Sequence, residues 1–296
     1  MRSLHVLAAD HRPLRDHVHE HHGNTSRSVL AMTITPSHVV HRDDVSIAVT
    51  DRCGDGPPLV LLHGLAGSSR ELLPSADALA DAFHVLLVDQ RGHGASSRRP
   101  DDLSREAFVG DVIQVLDEVV PGQRCILVGQ SMGAHTAFLA ASARPDLVSR
   151  LVMLEGHVAG GGDPDAAAAL GRYFASWPVP FADEEQARSF LGKEAIVDAW
   201  VADMESTDDG LVPRFDADVM EGAIAPVHEP RWAEWEALEV PTLAVFAPHG
   251  MFSAEEKEEL IRRRPATERI DLREGTHDAH LDAFDAWIQV LRGWLL

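Results

Sequence analysis

Lysine is nearly absent from this 296-residue chain, which carries it only at Lys193 and Lys257. Positive charge is therefore almost all arginine, and it is outnumbered. Asp plus Glu total 47 against 26 for Lys plus Arg, giving a formal net charge of −21. The arginines form no basic patch, and a field of that sign repels nucleic acid and anionic membranes. Neither is expected as a partner. Two cysteines, Cys53 and Cys125, cannot build a disulfide framework, and a cytoplasmic location is expected. Cys125 opens the apolar run CILVG and reads as a buried thiol. No apolar stretch approaches the roughly 18 residues that a membrane helix needs. The N-terminal apolar run is too short and too interrupted for a signal peptide.

What is present is the composition of a globular protein, 45% hydrophobic. The length suits one large α/β domain, or a core with an insertion. Eight of the 17 histidines fall in the first 41 residues, with HVHEHH at His17–His22. Such a tract could bind metal, but residues 1–34 are expected to form a disordered, dispensable tail without a functional metal site. Met32 opens MTITPSHVV, a plausible start in its own right.

From residue 37 the pattern becomes regular. SHVVHRDDVSIAVTDR reads as two extended runs around a turn at Arg42–Asp44. Short apolar runs follow: PLVLLHG (58–64), HVLLVDQRGHG (84–94), RCILVGQSMG (124–133), RLVMLEG (150–156), PTLAVFAPHG (241–250) and TERIDLREG (267–275). Each is continuous rather than alternating, as strands buried on both faces are. Helical stretches separate most of them. LSREAFVGDVIQVLDEVV sets Phe108, Val112, Val115, Leu116 and Val119 on one stripe. SAEEKEELIRRR starts with a serine N-cap and acids and ends in arginines. Alternating strands and helices with continuous strands mean a mostly parallel α/β sheet. The alternation stops over residues 157–236, which read as a helical insertion carrying Tyr173, Phe174, Trp177, Phe181 and Trp200.

GQSMG, Gly129 to Gly133, fits the nucleophile-elbow pattern G-x-S-x-G. A chain of this size shows that pattern by chance about one time in ten at average Gly and Ser usage, so its placement carries the weight. Ser131 stands between a strand-like run and a helix-like run. A sharp turn there needs small neighbours and leaves the hydroxyl at a helix N-terminus. HGLAGSS (63–69) follows the first long strand. Gly64 allows close backbone approach, and the N–H groups of Leu65 and Met132 form a natural pair of oxyanion donors. His63 is expected to order this loop. DQRGHGAS (89–96) reads as a tight turn tied down by Asp89 and Arg91, with His93 structural.

His63-Gly64, the 89–96 turn and the elbow, in this order and spacing, resemble the α/β-hydrolase superfamily, and within it the cofactor-free serine hydrolases with a helical cap. The resemblance covers residues from about 37 to 296. It implies an eight-stranded, mostly parallel sheet flanked by helices. Residues 35–156 and 237–296 would be the core and 157–236 the cap, inserted after the sixth strand. It also implies a histidine base near the C-terminus. His277 follows Gly275-Thr276 at the expected loop, one helical turn before His280.

Such a base needs a carboxylate. The family usually keeps an Asp after the strand read here as PTLAVFA, but Gly250 stands there, between His249 and Met251. A subset of the superfamily puts the acid after the sixth strand, where Glu155 ends RLVMLE. The expected triad is Ser131, Glu155 and His277, with a Ser–His dyad or Asp278 as acid left as alternatives. Ser131 excludes relatives that need an Asp nucleophile at the elbow. The expected activity is hydrolysis of a small, mainly hydrophobic ester or lactone, needing no metal or organic cofactor. Gly64, Tyr173, Phe174, Trp177 and Trp200 are the candidate substrate contacts. C–C bond hydrolysis, acyl transfer, a biosynthetic ring-forming step and a non-catalytic binding role remain open, as does monomer against homodimer.

Overall fold

A computed structural model describes residues 35–161, 163 and 165–296. The expected tail, with its histidine tract and Met32, lies outside the described residues. The chain opens with the hairpin β1 (His38–Arg42) and β2 (Val45–Asp51), turned at Asp43, whose φ is 55°. Then β3 (Pro58–Leu62), β4 (His84–Val88), β5 (Cys125–Gln130) and β6 (Val148–Leu154) alternate with helices α1 (Ser69–Asp77), α2 (Arg105–Val119) and α3 (Met132–Ala143). Residues 166–237 add α4 (Ala166–Ala175), α5 (Glu184–Leu191), α6 (Ala195–Asp203), a short hairpin β7 (Glu205–Thr207) and β8 (Gly210–Val212), α7 (Ala217–Ile224), a 3-10 turn (Ala225–His228) and α8 (Trp232–Ala237). The sheet resumes with β9 (Thr242–Phe246), α9 (Ala254–Arg263) and β10 (Glu268–Asp271), and α10 (Ala279–Asp282) and α11 (Phe284–Leu295) end the chain.

Eight strands form one sheet in the order β1-β2-β4-β3-β5-β6-β9-β10. Only the β1–β2 and β2–β4 pairings are antiparallel. The continuous apolar runs are explained by two buried faces. Val60, Leu62, Leu86, Val88 and Leu127 point into one hydrophobic core. Their neighbours Leu59, Leu61, Val85, Leu87, Ile126 and Val128 point into the other. A strand alternates sides at every residue, so both sets must be apolar when helices cover both faces. Truncating one fully buried leucine here, such as Leu61, would cost about 2–5 kcal/mol.

The helix ends follow their sequence signals. Ser104 caps α2, its side chain accepting from Ala107 N. Ser253 and Glu256 form a reciprocal capping box on α9. Among the described residues no helix is long and apolar enough to cross a membrane.

Candidate active site

Parallel strands all end at the same edge of a sheet, so the residues that follow them share one neighbourhood. Ser131 follows β5 there. Its φ of 53° and ψ of −118° place it in a conformation that L-residues rarely adopt. The flanking glycines are required by contact as well as by the turn. A Cβ on Gly129 would lie 2.3 Å from Gly133 O, and one on Gly133 would lie 2.3 Å from Leu62 O. Ser131 N donates to Leu154 O (2.9 Å), which ties the elbow to the end of β6.

Glu155 follows β6 directly and is wholly buried, again with positive φ (49°). A buried carboxylate needs donors, and it has three. Ala247 N donates to Oε1 (2.8 Å), Met251 N to Oε2 (2.9 Å), and His277 Nδ1 lies 3.3 Å from Oε2. Gly250 explains why the acid fits. A Cβ there would lie 2.1–2.3 Å from Oε1, Oε2 and Cδ of Glu155. The space that a side chain would take at the end of β9 is filled by the carboxylate arriving from β6.

Burial works against a charge on His277. The hydrogen bond to Glu155 and the negative fields of Asp278, Glu155 and Glu71 outweigh it and hold the imidazole above its ordinary pKa. Asp278 adds its field but no hydrogen bond to the ring. The other nitrogen, Nε2, is left to face away from Glu155, as a base toward Ser131 requires. Gln130 was not singled out from sequence, yet it links the parts. Its Nε2 donates to His277 O (2.9 Å), and a Cβ on Gly64 would lie 2.2 Å from its Oε1 and 3.4 Å from Ser131 Cβ. Gln130 thus touches the base loop, and with Ser131 it borders the loop after β3.

That loop is held from below. His63 is fully buried. Its Nε2 accepts from Gln90 N (3.0 Å), so Nδ1 is the nitrogen that donates to Gly64 O (2.7 Å). Among the described residues the Leu65 and Met132 N–H groups have no protein acceptor, the state an oxyanion site needs. Asp89 accepts from Ser69 N (2.6 Å) and Ala95 N (2.8 Å), and Arg91 grips Asp111 with two bonds (2.6 and 2.7 Å). Burial pushes His93 down to about 3. His280 is buried with Nε2 3.6 Å from Glu71 Oε1, and that oxygen also accepts from Gly64 N (3.3 Å).

The inserted helices lay an aromatic cluster above this edge. Phe174 and Trp177 are buried in it with ring centroids 5.5 Å apart, and Tyr173 joins them 5.2 Å from Phe174. Ala66 packs into the same cluster. Trp200 and Phe215 belong to the same cluster, 5.2 and 5.6 Å from Trp177, and also line a cleft against Ala66, Gly67, Ser68 and Glu71. Asp203 and Arg214 share that cleft. Burial, then the charge of Asp89, raises Asp203 to about 6 against the weaker pull of Arg70, Arg214 and Ser68. Among the described residues no three His, Cys, Asp or Glu side chains gather as metal ligands.

Comparison with known proteins agrees with this architecture. Residues 57–191 match the family model for the alpha/beta hydrolase fold. The chain has the α/β-hydrolase fold. An sn-1-specific diacylglycerol lipase of Xenopus laevis is 39% identical to it over 121 residues, 40% of this chain and 38% of the relative. A 2-(acetamidomethylene)succinate hydrolase of Mesorhizobium japonicum is 30% identical over 130 residues, 43% of this chain and 46% of the relative. The chain thus matches these curated relatives over less than half of their length. Among solved structures, an E-2-(acetamidomethylene)succinate hydrolase superimposes with a TM-score of 0.77 at 22% identity, over 87% of this chain and 99% of that one. The enol-lactonase from Burkholderia xenovorans gives 0.72 at 20% identity over 87% and 99%. At such identities the likeness is one of fold.

Proposed function

We propose that this α/β hydrolase cleaves a small, mainly hydrophobic ester or lactone through a Ser131–His277–Glu155 triad and an acyl-enzyme. One observation carries the reading. A wholly buried Glu155, fixed by two backbone N–H groups, lies 3.3 Å from His277 Nδ1 beside the elbow that presents Ser131. His277 takes the Ser131 proton at Nε2 as Oγ attacks the substrate carbonyl. The carbonyl electrons move to its oxygen, which the Leu65 and Met132 N–H groups hold. As the intermediate collapses, the C–O bond to the alcohol breaks and His277 returns the proton to the departing oxygen. Water, deprotonated by the same nitrogen, then attacks the acyl carbon and frees Ser131. Each oxyanion donor is worth about 3 kcal/mol of barrier in such chemistry.

The aromatic cluster over the site favours an apolar acyl or alcohol portion. The lipase and the lactonase among the similar proteins support carbonyl–oxygen cleavage as the reaction class. A fluorophosphonate probe and p-nitrophenyl esters test the reading. Ser131 is expected to be labelled and the esters hydrolysed, with both lost in Ser131→Ala. Absence of labelling on folded protein would refute it, and labelling without ester turnover would redirect it to C–C or acyl-transfer chemistry.

A further inference from the structure

The inserted segment leaves the core and rejoins it at one joint. Its two ends cross there. Arg231 N donates to Val158 O (2.8 Å) and Gly161 N to His228 O (3.0 Å). A Cβ on Gly160 would lie 2.2 Å from His228 O, so the crossing is tight. Four basic side chains meet beside it: Arg105 from the first turn of α2, His135 from α3, and His228 and Arg231 from the returning chain. Arg105 and His135 are 0% and 1% exposed.

Several buried nitrogens of three of them, Arg105, His135 and Arg231, lack partners. Arg105 Nη2 donates to Thr136 Oγ1, and the guanidinium lies 4.5 Å over the Phe108 ring. Its Nε and Nη1 have no hydrogen-bond partner among the described residues. Neither ring nitrogen of His135 has one, and nor has Arg231 Nε. Ten buried side-chain nitrogen or oxygen atoms of the described residues are unpartnered, and five of them belong to these three residues. That concentration is not scattered imperfection. Burial, then the charge of Arg231, lowers Arg105 to about 9. Burial, then Arg105, Arg231 and His228, presses His135 well below its ordinary value.

The acids nearby sit elsewhere. Glu106, Glu229 and Glu234 approach Arg231 at 3.3, 3.6 and 3.3 Å, Glu106 adds its field to Arg105, and Asp163 acts on His228. None hydrogen-bonds to Arg105 or His135. A buried cation with idle donors calls for an acceptor of opposite charge.

We propose that Arg105, His135 and Arg231 bind a small anion, a halide or a carboxylate, at the joint between α2, α3 and the two ends of the inserted segment. The bound anion accepts from the idle N–H groups of the two arginines and from one N–H of His135, and fastens the returning chain to the helix that carries Ser131 at its N-cap. The site is separate from the triad and stands whether or not Ser131 is the nucleophile.

Thermal unfolding of the full chain in sodium chloride, acetate or gluconate at one ionic strength tests it, with gluconate too bulky for a buried site. Chloride or acetate is expected to raise Tm saturably over gluconate, by roughly 5 °C at about a hundred times Kd. Arg105→Met is expected to abolish the difference. Equal Tm in all three salts, or a response that Arg105→Met retains, overturns the proposal. Crystals of the unaltered protein soaked in bromide or acetate provide an arm that does not depend on the variant folding. Density for either anion within hydrogen-bond distance of Arg105 and His135 supports the site, and density for neither overturns it.

Discussion

Replacing Gly250 by alanine adds one methyl group where the Glu155 carboxylate already lies. The new Cβ would stand 2.1 Å from Oε1, 2.2 Å from Oε2 and 2.3 Å from Cδ, whereas real Cβ contacts stay beyond 3.0 Å. The carboxylate would have to withdraw by about 1 Å. Gly250 does not lie in the left-handed region, so backbone strain is not a competing cause. Withdrawal breaks the fit to Ala247 N, Met251 N and His277 Nδ1 together. A misplacement of about 1 Å costs on the order of 10²-fold in rate, and complete loss of the acid's role about 10⁴-fold. The expected fall in kcat for a p-nitrophenyl ester is therefore roughly 10²–10⁴, or about 3–5 kcal/mol of barrier. Stability should fall by about 1–3 kcal/mol, since a buried carboxylate loses donors, and Tm reports that separately. Gly293→Ala is the control, because a Cβ there meets nothing within 4 Å. A folded Gly250→Ala enzyme within about threefold of wild-type kcat would refute both the assignment of Glu155 and the role given to the glycine.

Three further outcomes are expected. Turnover needs a neutral His277, whose pKa is raised because the Glu155 hydrogen bond and the surrounding negative charges overcome burial. Activity should rise with pH through a midpoint above about 6.5. Glu155→Gln should lower that midpoint and cut kcat by about 10³–10⁴, and a pH–rate profile showing an unmoved midpoint would contradict the pairing. Glu155→Ala empties the slot beside Gly250, so adding Gly250→Asp should recover on the order of tenfold over Glu155→Ala alone; no recovery in kcat would mean that a carboxylate from β9 cannot reach His277. Asp203 is raised to about 6 from its ordinary 3.8. Its contribution to stability is thus present at low pH and lost as pH climbs through about 6. Asp203→Asn should raise Tm above about pH 7 by the equivalent of 1–3 kcal/mol and do nothing below about pH 4. A Tm that falls at the higher pH would show that the ionised Asp203–Arg70 pair is worth more than burial costs it.

The core was legible because its signals are local. Leu59–Leu62, Val85–Val88 and Ile126–Val128 each need both faces apolar, and that requirement is written into consecutive residues. Ser131 was legible for the same reason, since the turn constrains Gly129 and Gly133 within five positions. Glu155 was reached only by noticing that Gly250 stood where an acid belonged. The contact between them is 95 residues long in sequence, so no window could have held it. Gln130 carried no signal at all. Any residue satisfies the second position of the elbow pattern, and only the folded chain brings its amide to His277 O (2.9 Å) and its oxygen against Gly64. Arg105 shows the opposite case. On the sequence it is a first-turn residue of an amphipathic helix, a position usually solvated, and the helix stripe that predicted Phe108 and Val112 gave it no inward role. The inserted segment closes over it, and burial converts an ordinary surface cation into one whose donors need an acceptor. What sequence patterns miss in this chain is therefore of one kind: groups whose chemistry is set by a partner that the topology, and not the neighbouring residues, supplies.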